Sequence, residues 1–261
     1  MDDKTIITLM TDYGIADNYV GIVKGVISSL NPDAKIVDIS HNLPVFNIKA
    51  ASYLLETAFR AFPKGTIHLA IVDPGVGMDR KAIVVQTKDY FFVGPDNGLF
   101  SFLNVREIKR INLMANRKYF LKEVSSTFHG RDIFAPVAAY LSMGVMPDEF
   151  GSPLKSIMRP KAKAYRKTKY GISGKVLYID HFGNLATSIR ADSVPIQKSV
   201  VYFNGIRVGK IRKTFGSSEE GRPVCYVNSM GYLEIAINQG SAADYFKTDY
   251  HSKSYILIAS E

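Results

Sequence analysis

Ile67-His68-Leu69-Ala70-Ile71-Val72-Asp73-Pro74-Gly75-Val76-Gly77-Met78-Asp79-Arg80 passes from an apolar run into a Pro/Gly turn with an acid at its start and an arginine at its end. A short apolar run bounded by turn residues reads as a buried strand. The turn then lies at that strand's carboxyl end, where open α/β sheets bind their ligands. Further along, Phe128-His129-Gly130-Arg131-Asp132 is a second polar loop beside a glycine. Acid, guanidinium and imidazole at strand-end loops are the groups that a reaction on a polar small molecule needs.

The flanking segments alternate in kind. Thr5 to Met10 is apolar and β-rich, and Asp17-Asn18-Tyr19 opens a helical stretch to Leu30, stopped by Asn31-Pro32. Ala34 to Ile39 reads as a strand, and Asn47 to Phe62 as a helix ending at Pro63-Lys64-Gly65. Ala82 to Thr87 and Tyr90 to Val93 read as strands, and Asp132 to Ser142 as a helix with Pro136 near its first turn, where proline is tolerated. Strands alternating with helices predict an α/β domain with a largely parallel sheet over residues 1–152. Prolines and a lysine run predict a basic linker over 153–169. Beyond it, Gly174 to Ile179, Ser199 to Phe203, Ile206 to Ile211, Val224 to Asn228, Tyr232 to Ile237 and Ser254 to Ala259 are short strand-like runs. Turn residues such as Asn204-Gly205 and Met230-Gly231 punctuate them. That spacing, with almost no helix, predicts a small barrel or sandwich over 170–261.

Composition narrows the class. The 261 residues, 46% hydrophobic and 22% charged, suit a soluble globular chain of one large domain or two modest ones. No apolar run approaches the roughly 18–20 residues needed to span a bilayer. The acidic start Met1-Asp2-Asp3-Lys4 lacks a signal peptide's basic region. With Cys225 the only cysteine, no internal disulfide is possible, and a cytoplasmic location is expected. The net charge of +9 would permit an RNA-associated role. Much of the excess gathers at Lys155, Arg159, Lys161, Lys163, Arg166, Lys167 and Lys169, a pattern more simply read as a solvated linker. No zinc knuckle, RNP-like motif or helix-turn-helix pattern stands beside it, so a nucleic-acid partner is not expected.

Several residues could carry chemistry. Asp12, in Thr11-Asp12-Tyr13-Gly14, could accept hydrogen bonds from a vicinal diol, or simply form an Asx-turn. Asp17 could bind a ligand or cap the next helix. Taken singly, Asp73 could be a turn residue, Arg80 a surface arginine and His129 a packed loop histidine. Beside glycines at successive strand ends, the three together favour a pocket. In Asp180-His181-Phe182-Gly183-Asn184, Phe182 could stack on a flat ring and Asn184 pair with a base edge, or the segment could be a plain hairpin turn. Asn228-Ser229-Met230-Gly231 is another such junction. The histidines His41, His68, His129, His181 and His251 form no ligand cluster, so no metal is expected. Walker, dinucleotide and Gly-x-Ser-x-Gly motifs are absent.

In order along the chain, Thr11-Asp12-Tyr13-Gly14 with Asp17 and Tyr19-Val20-Gly21, Val72 to Gly77, Gly94-Pro95-Asp96-Asn97-Gly98, Phe128 to Asp132, Asp180 to Leu185, and Ser229 to Ala243 resemble one family. It is the S-adenosylmethionine (SAM) hydroxide adenosyltransferase family, relatives of the SAM-dependent fluorinase and chlorinase. The resemblance implies an N-terminal α/β domain and a C-terminal β-barrel. It also implies a homotrimer whose sites lie between one subunit's first domain and the next subunit's second. The implied reaction is hydrolysis of SAM, a small-molecule substrate, to adenosine and L-methionine, with no separate cofactor. By the same carry-over Asp73, Arg80 and His129 act on the water. Asp12 holds the ribose hydroxyls, Asp17, Asp180 and Ser229 the methionine, and Phe182 and Asn184 the adenine. Met230 stands where the fluorinase has an arginine. A chlorinase-like halogenase is the alternative within the family. Gly130, shared with the chlorinase where the fluorinase has serine, leaves it open; Asp73, where the fluorinase has tyrosine, argues against it. A non-catalytic SAM-binding or RNA-associated protein is the alternative outside it.

Overall fold

In the computed structural model, which describes residues 5–160 and 165–260, the first apolar run forms strand β1 (Ile6–Thr11). It is followed by α1 (Tyr19–Leu30), β2 (Lys35–Ser40), α2 (Ile48–Ala58), β3 (Ile67–Ile71), β4 (Ala82–Thr87), β5 (Phe91–Pro95), β6 (Ile108–Leu113) and α3 (Ala135–Ser142). Strand order is β2-β1-β3-β5-β4-β6. Strand period explains the packing: Ile7 and Leu9 of β1 and Leu69 and Ile71 of β3 face one core, with Val23 and Ile27 of α1 and Val137 of α3. Met10 and Ala70 face the other core, with Leu55 of α2 and Phe59. A strand covered on both faces must be apolar at nearly every position, which is why Ile67 to Val72 reads as an unbroken run.

The expected largely parallel sheet fits in part: β4 alone runs against the other strands, which makes the sheet mixed. β1 pairs parallel with β2 and β3, and β3 with β5, but β4 is antiparallel to both β5 and β6. The cause is the short Lys88–Tyr90 connection, closed by Thr87 N–H to the Tyr90 carbonyl at 2.8 Å. A loop that short can join antiparallel strands only. Two helices also depart from expectation. The α-helix begun at Asn47, whose side chain caps Ala50 N–H at 3.1 Å, ends at Ala58 and gives way to a 3₁₀ turn, Phe59–Ala61. A π-helical turn, Gly130–Phe134, precedes α3.

The chain divides into two compact units, Met1–Pro160 and Lys161–Glu261. Much of the expected linker is structured. Ile157 is buried, Met158 N–H donates to Asp96 at 2.6 Å, and Arg159 donates to the carbonyls of Ser101 and Leu103 at 2.5 and 2.6 Å. Residues 161–164, with Lys161 and Lys163, lie outside the described residues. The second unit holds β7 (Arg166–Thr168), β8 (Gly171–Gly174), β9 (Val176–Ile179), β10 (Leu185–Arg190), β11 (Ser199–Phe203), β12 (Ile206–Arg212), β13 (Pro223–Val227), β14 (Tyr232–Ile237), a one-turn helix α4 (Ala242–Tyr245) and β15 (Ile256–Ser260). These strands form one sheet, β7-β8-β15-β11-β12-β13-β14-β10-β9, antiparallel except for β12 with β13. Leu185, Val201, Phe203, Cys225, Leu233 and Ile256 share its core. Asn204 and Gly205 take φ values of 48° and 84°, the left-handed pair that a two-residue hairpin turn requires. Among the described residues no helix is long and apolar enough to cross a membrane.

Candidate functional site

Strands β2, β1 and β3 run side by side in parallel, so the loops after them emerge at one sheet edge. The Asp73 loop folds tightly, with Val76 N–H to the Asp73 carbonyl at 3.2 Å and Met78 N–H to that of Gly75 at 3.1 Å. Gly77, at φ 74°, rests on the loop before His129: a Cβ there would lie 2.3 Å from the Ser126 carbonyl. Only glycine permits that approach. Arg80 closes the turn on Asp73. Its Nε donates to Oδ1 and Oδ2 at 2.9 and 3.0 Å, and its Nη2 to Oδ2 at 2.7 Å. The pair is nearly removed from solvent, with side chains 10% and 6% exposed.

His129 completes the set. Arg80 Nη2 lies 2.6 Å from His129 Nδ1. A guanidinium has no lone pair to offer, so Nδ1 must be the acceptor and the neutral ring carries its proton on Nε2. The imidazole's pKa is lowered accordingly: burial and the Arg80 charge depress it, against weaker opposing effects of Asp73, Asp132 and the Ser125 backbone. Asp132 anchors this loop from beneath. It is fully buried, accepts from Ser125 N–H and Oγ at 2.8 Å each, and pairs with Arg131 Nε at 2.5 Å. Burial alone would raise its pKa, but the Arg131 and Ser125 bonds hold it below the usual carboxylate range.

Asp12 lies close enough to feel the charge of Asp73. Burial raises its pKa, the bonds from Phe46 N–H and its own backbone oppose the rise, and Asp73 adds to it. Its Oδ2 accepts Phe46 N–H at 2.9 Å. Phe46 is 66% exposed and sits at φ 61°, a conformation that a bulky residue rarely adopts. Strain of this kind gathers at ligand sites. Sequence reading missed Phe46, although an exposed aromatic in a strand-end loop was the available signal. Tyr13, Tyr19 and Phe128 form an aromatic trio with centroids 5.3–6.0 Å apart. A Cβ at Gly130 would lie 2.5 Å from Tyr13 Oη. Asp17 is exposed, one residue before the helix-capping position of Asn18, and α1 has no side-chain cap bond.

The first unit thus brings together Asp12, Asp73, Arg80 and His129. Asp17 belongs to the same unit, and the remaining expected residues, Asp180, Phe182, Asn184 and Ser229, lie in the second unit. Asp180 is engaged with its own turn: Oδ1 accepts Phe182 and Asn184 N–H at 2.9 and 2.8 Å, and Oδ2 accepts Asn184 Nδ2 at 2.9 Å. Phe182 is 73% exposed. Gly183, at φ 82°, would place a Cβ 2.2 Å from Ser241 Oγ. Ser229 is exposed in the turn that Asn228 Oδ1 holds by accepting Met230 and Tyr232 N–H at 3.1 and 3.0 Å. Among the described residues no group of three or more His, Cys, Asp or Glu is placed to hold a metal ion.

A carboxylate gripped by a guanidinium beside a neutral imidazole, with a second carboxylate near by, suits an enzyme of polar small molecules. The chain belongs to the SAM hydroxide adenosyltransferase family, whose N-terminal domain matches residues 7–151 and whose C-terminal domain matches residues 174–254. The (R)-S-adenosyl-L-methionine hydrolase of Methanocaldococcus jannaschii is 38% identical over 98% of this chain and 97% of its own. That of Thermus thermophilus is 37% identical over 90% and 92%. The crystal structure of an uncharacterized conserved protein from Thermotoga maritima matches with a TM-score of 0.87 at 37% identity, covering 97% of this chain and 100% of that one. Fluorinases are more distant, that of Actinopolyspora mzabensis being 26% identical.

Proposed function

We propose that this protein hydrolyses S-adenosyl-L-methionine to adenosine and L-methionine. The observation that carries the reading is the Asp73–Arg80–His129 set. Water attacks the ribose 5′ carbon, the carbon–sulfur bond breaks, and its electron pair leaves on sulfur as a neutral thioether. A sulfonium needs no general acid to depart. Water, however, must shed a proton as it attacks. His129 has no free nitrogen lone pair while Nδ1 accepts from Arg80. Among the described residues Asp73 Oδ1 receives only the Arg80 Nε bond, so it retains a lone pair that can take the proton. A carboxylate is basic enough, because the attacking water becomes strongly acidic as its bond to carbon forms. Arg80 fixes the direction of that carboxylate, and His129 fixes Arg80.

One feature favours water over halide: the Asp73 carboxylate repels an anion. We further assign the ribose diol to Asp12, the methionine to Asp17, Asp180 and Ser229, and the adenine to Phe182 and Asn184. Within this reading the second unit is a β-barrel, the protein is a cytoplasmic homotrimer without a separate cofactor, and a neighbouring copy supplies the second unit's residues. The test is incubation with SAM in halide-free buffer, with and without added chloride, followed by chromatography. Adenosine under both conditions is expected. Its absence overturns the enzyme reading, and a 5′-chloro product makes the protein a halogenase. Asp73→Asn and His129→Ala should each slow turnover by about 100-fold or more, the lower range for acid–base groups.

A further inference from the structure

His41 plays no part in the mechanism above, yet it is 7% exposed and touches the loop that carries Asp12 from two directions. Its Nδ1 lies 2.9 Å from Thr11 Oγ1, and its carbonyl accepts Gly14 N–H at 2.8 Å. Thr11 Oγ1 in turn accepts Tyr13 N–H at 3.3 Å. On the far side of the ring, Nε2 lies 3.1 Å from Asp38 Oδ1, a charge-assisted contact rather than a well-aligned hydrogen bond. Asp38 Oδ2 accepts Lys24 Nζ of α1 at 2.6 Å.

Tyr13 N–H can only donate, so Thr11 Oγ1 accepts it and keeps its own hydrogen and a second lone pair for the contact with His41 Nδ1. The far nitrogen of the ring faces a carboxylate that Lys24 holds from the other side. Threonine, histidine and aspartate in this order resemble a nucleophile, base and acid. Thr11 is fully buried, however, so its hydroxyl is closed to substrate. The relay must act on the backbone around Asp12 instead. The next loop is tied to the same residue, because Asp12 accepts Phe46 N–H.

We propose that His41 is a positioning residue: through Thr11 Oγ1 and Gly14 N–H it locks the end of β1, and so sets the Asp12 carboxylate and the Phe46 loop for substrate. The kinetic consequence rests on the hydrolase reading; the structural one does not. His41 acts on binding rather than on the water, so its loss should move KM and spare kcat.

Thr11→Val removes the hydroxyl while keeping the shape, and Thr11→Ser keeps the hydroxyl. His41→Phe removes both ring contacts, and His41→Asn keeps a hydrogen-bonding group near the Nδ1 position. Thr11→Val and His41→Phe should raise KM for SAM by about tenfold with kcat within about threefold, while Thr11→Ser stays close to wild type and His41→Asn falls between. Hydrogen exchange followed by mass spectrometry should show faster exchange over residues 11–14 and 44–47 in the first two variants only. Equal effects of Thr11→Val and Thr11→Ser, a fall in kcat at unchanged KM, or unaltered exchange in both loops would overturn the relay. A wild-type protein that neither binds adenosine nor consumes SAM defeats the hydrolase reading instead, and the exchange experiment still decides the relay.

Discussion

Acidification should destabilise the first unit through His68. This side chain, on β3, is fully buried, with Nδ1 2.8 Å from Thr8 Oγ1 and no hydrogen-bond partner for Nε2 among the described residues. The rings of Phe59, Phe62, Tyr90 and Phe92 surround it at 5.1–6.0 Å. Burial lowers its pKa from 6.5 to about 3. Between those values the unfolded chain binds a proton at residue 68 that the folded chain refuses, so stability falls as pH falls through the window. At about 1.4 kcal/mol per pKa unit, the loss relative to neutral pH reaches about 3 kcal/mol near pH 4. That is a large share of the roughly 5–15 kcal/mol that holds a typical domain together. Other carboxylates titrate over the same range, so the assay is a comparison. Urea unfolding, followed by far-ultraviolet circular dichroism at neutral pH and near pH 4, is run on wild type and on Thr8→Val/His68→Phe, which deletes both members of the polar pair. The wild type should lose about 3 kcal/mol more than the double variant on acidification. Equal losses in the two proteins would refute a neutral, proton-refusing His68.

Protonating His129 would put a second donor against the Arg80 guanidinium, and its pKa is already lowered by burial and Arg80. kcat/KM should therefore stay flat down through 6.5 and fall only in more acid solution; a break above 6.5 contradicts a His129 kept neutral by burial and Arg80. Gly130→Ser drives a Cβ to within 2.5 Å of Tyr13 Oη. Adenosine formation should drop about tenfold or more and recover in part when Tyr13→Phe is added, as overpacking relieved by removal of the colliding atom predicts; full activity in Gly130→Ser would show that Tyr13 yields freely. Gly77→Ala should cost about 1–3 kcal/mol in urea unfolding, from its φ of 74° and the Ser126 carbonyl at 2.3 Å, with unchanged stability as the contrary result. Mixing chains bearing Asp73→Ala with chains bearing Phe182→Ala should restore turnover that neither has alone; trimers formed from the mixture without activity would count against a site shared between copies.

The strands that sequence exposed best are those whose surroundings are simplest. β3 is buried at every residue, and its apolar run and closing Pro/Gly turn announce both ends. The direction of β4 was hidden because an apolar strand looks the same whichever way it runs. The clue lay in the length of the Lys88–Tyr90 connection. β6 escaped because Lys109 and Arg110 interrupt its apolar residues at a sheet edge, where charges discourage pairing with other chains. β10 escaped for the opposite reason: Thr187 and Ser188 are buried polar residues in a strand interior. At the candidate site, the residue types of Asp73, Arg80 and His129 were legible, but not the fork of hydrogen bonds that decides which nitrogen of His129 holds the proton. His41 read as one of several scattered histidines, because its partners Thr11 and Asp38 form a pattern only once β1 and β2 lie side by side.

The Asp180–Asn184 turn is closed by its own residues. Its carboxylate, amide side chain and backbone satisfy one another, and Gly183 is seated against Ser241. Backbone held this way has little conformational freedom left to lose in any contact it makes. It also separates frame from contact: Phe182 contributes its backbone N–H to the turn and leaves its ring outside. The ring can therefore be exchanged for another without disturbing the frame. If Phe182 stacks on the adenine as proposed, this turn lets the stacking ring change while the support that carries it stays put.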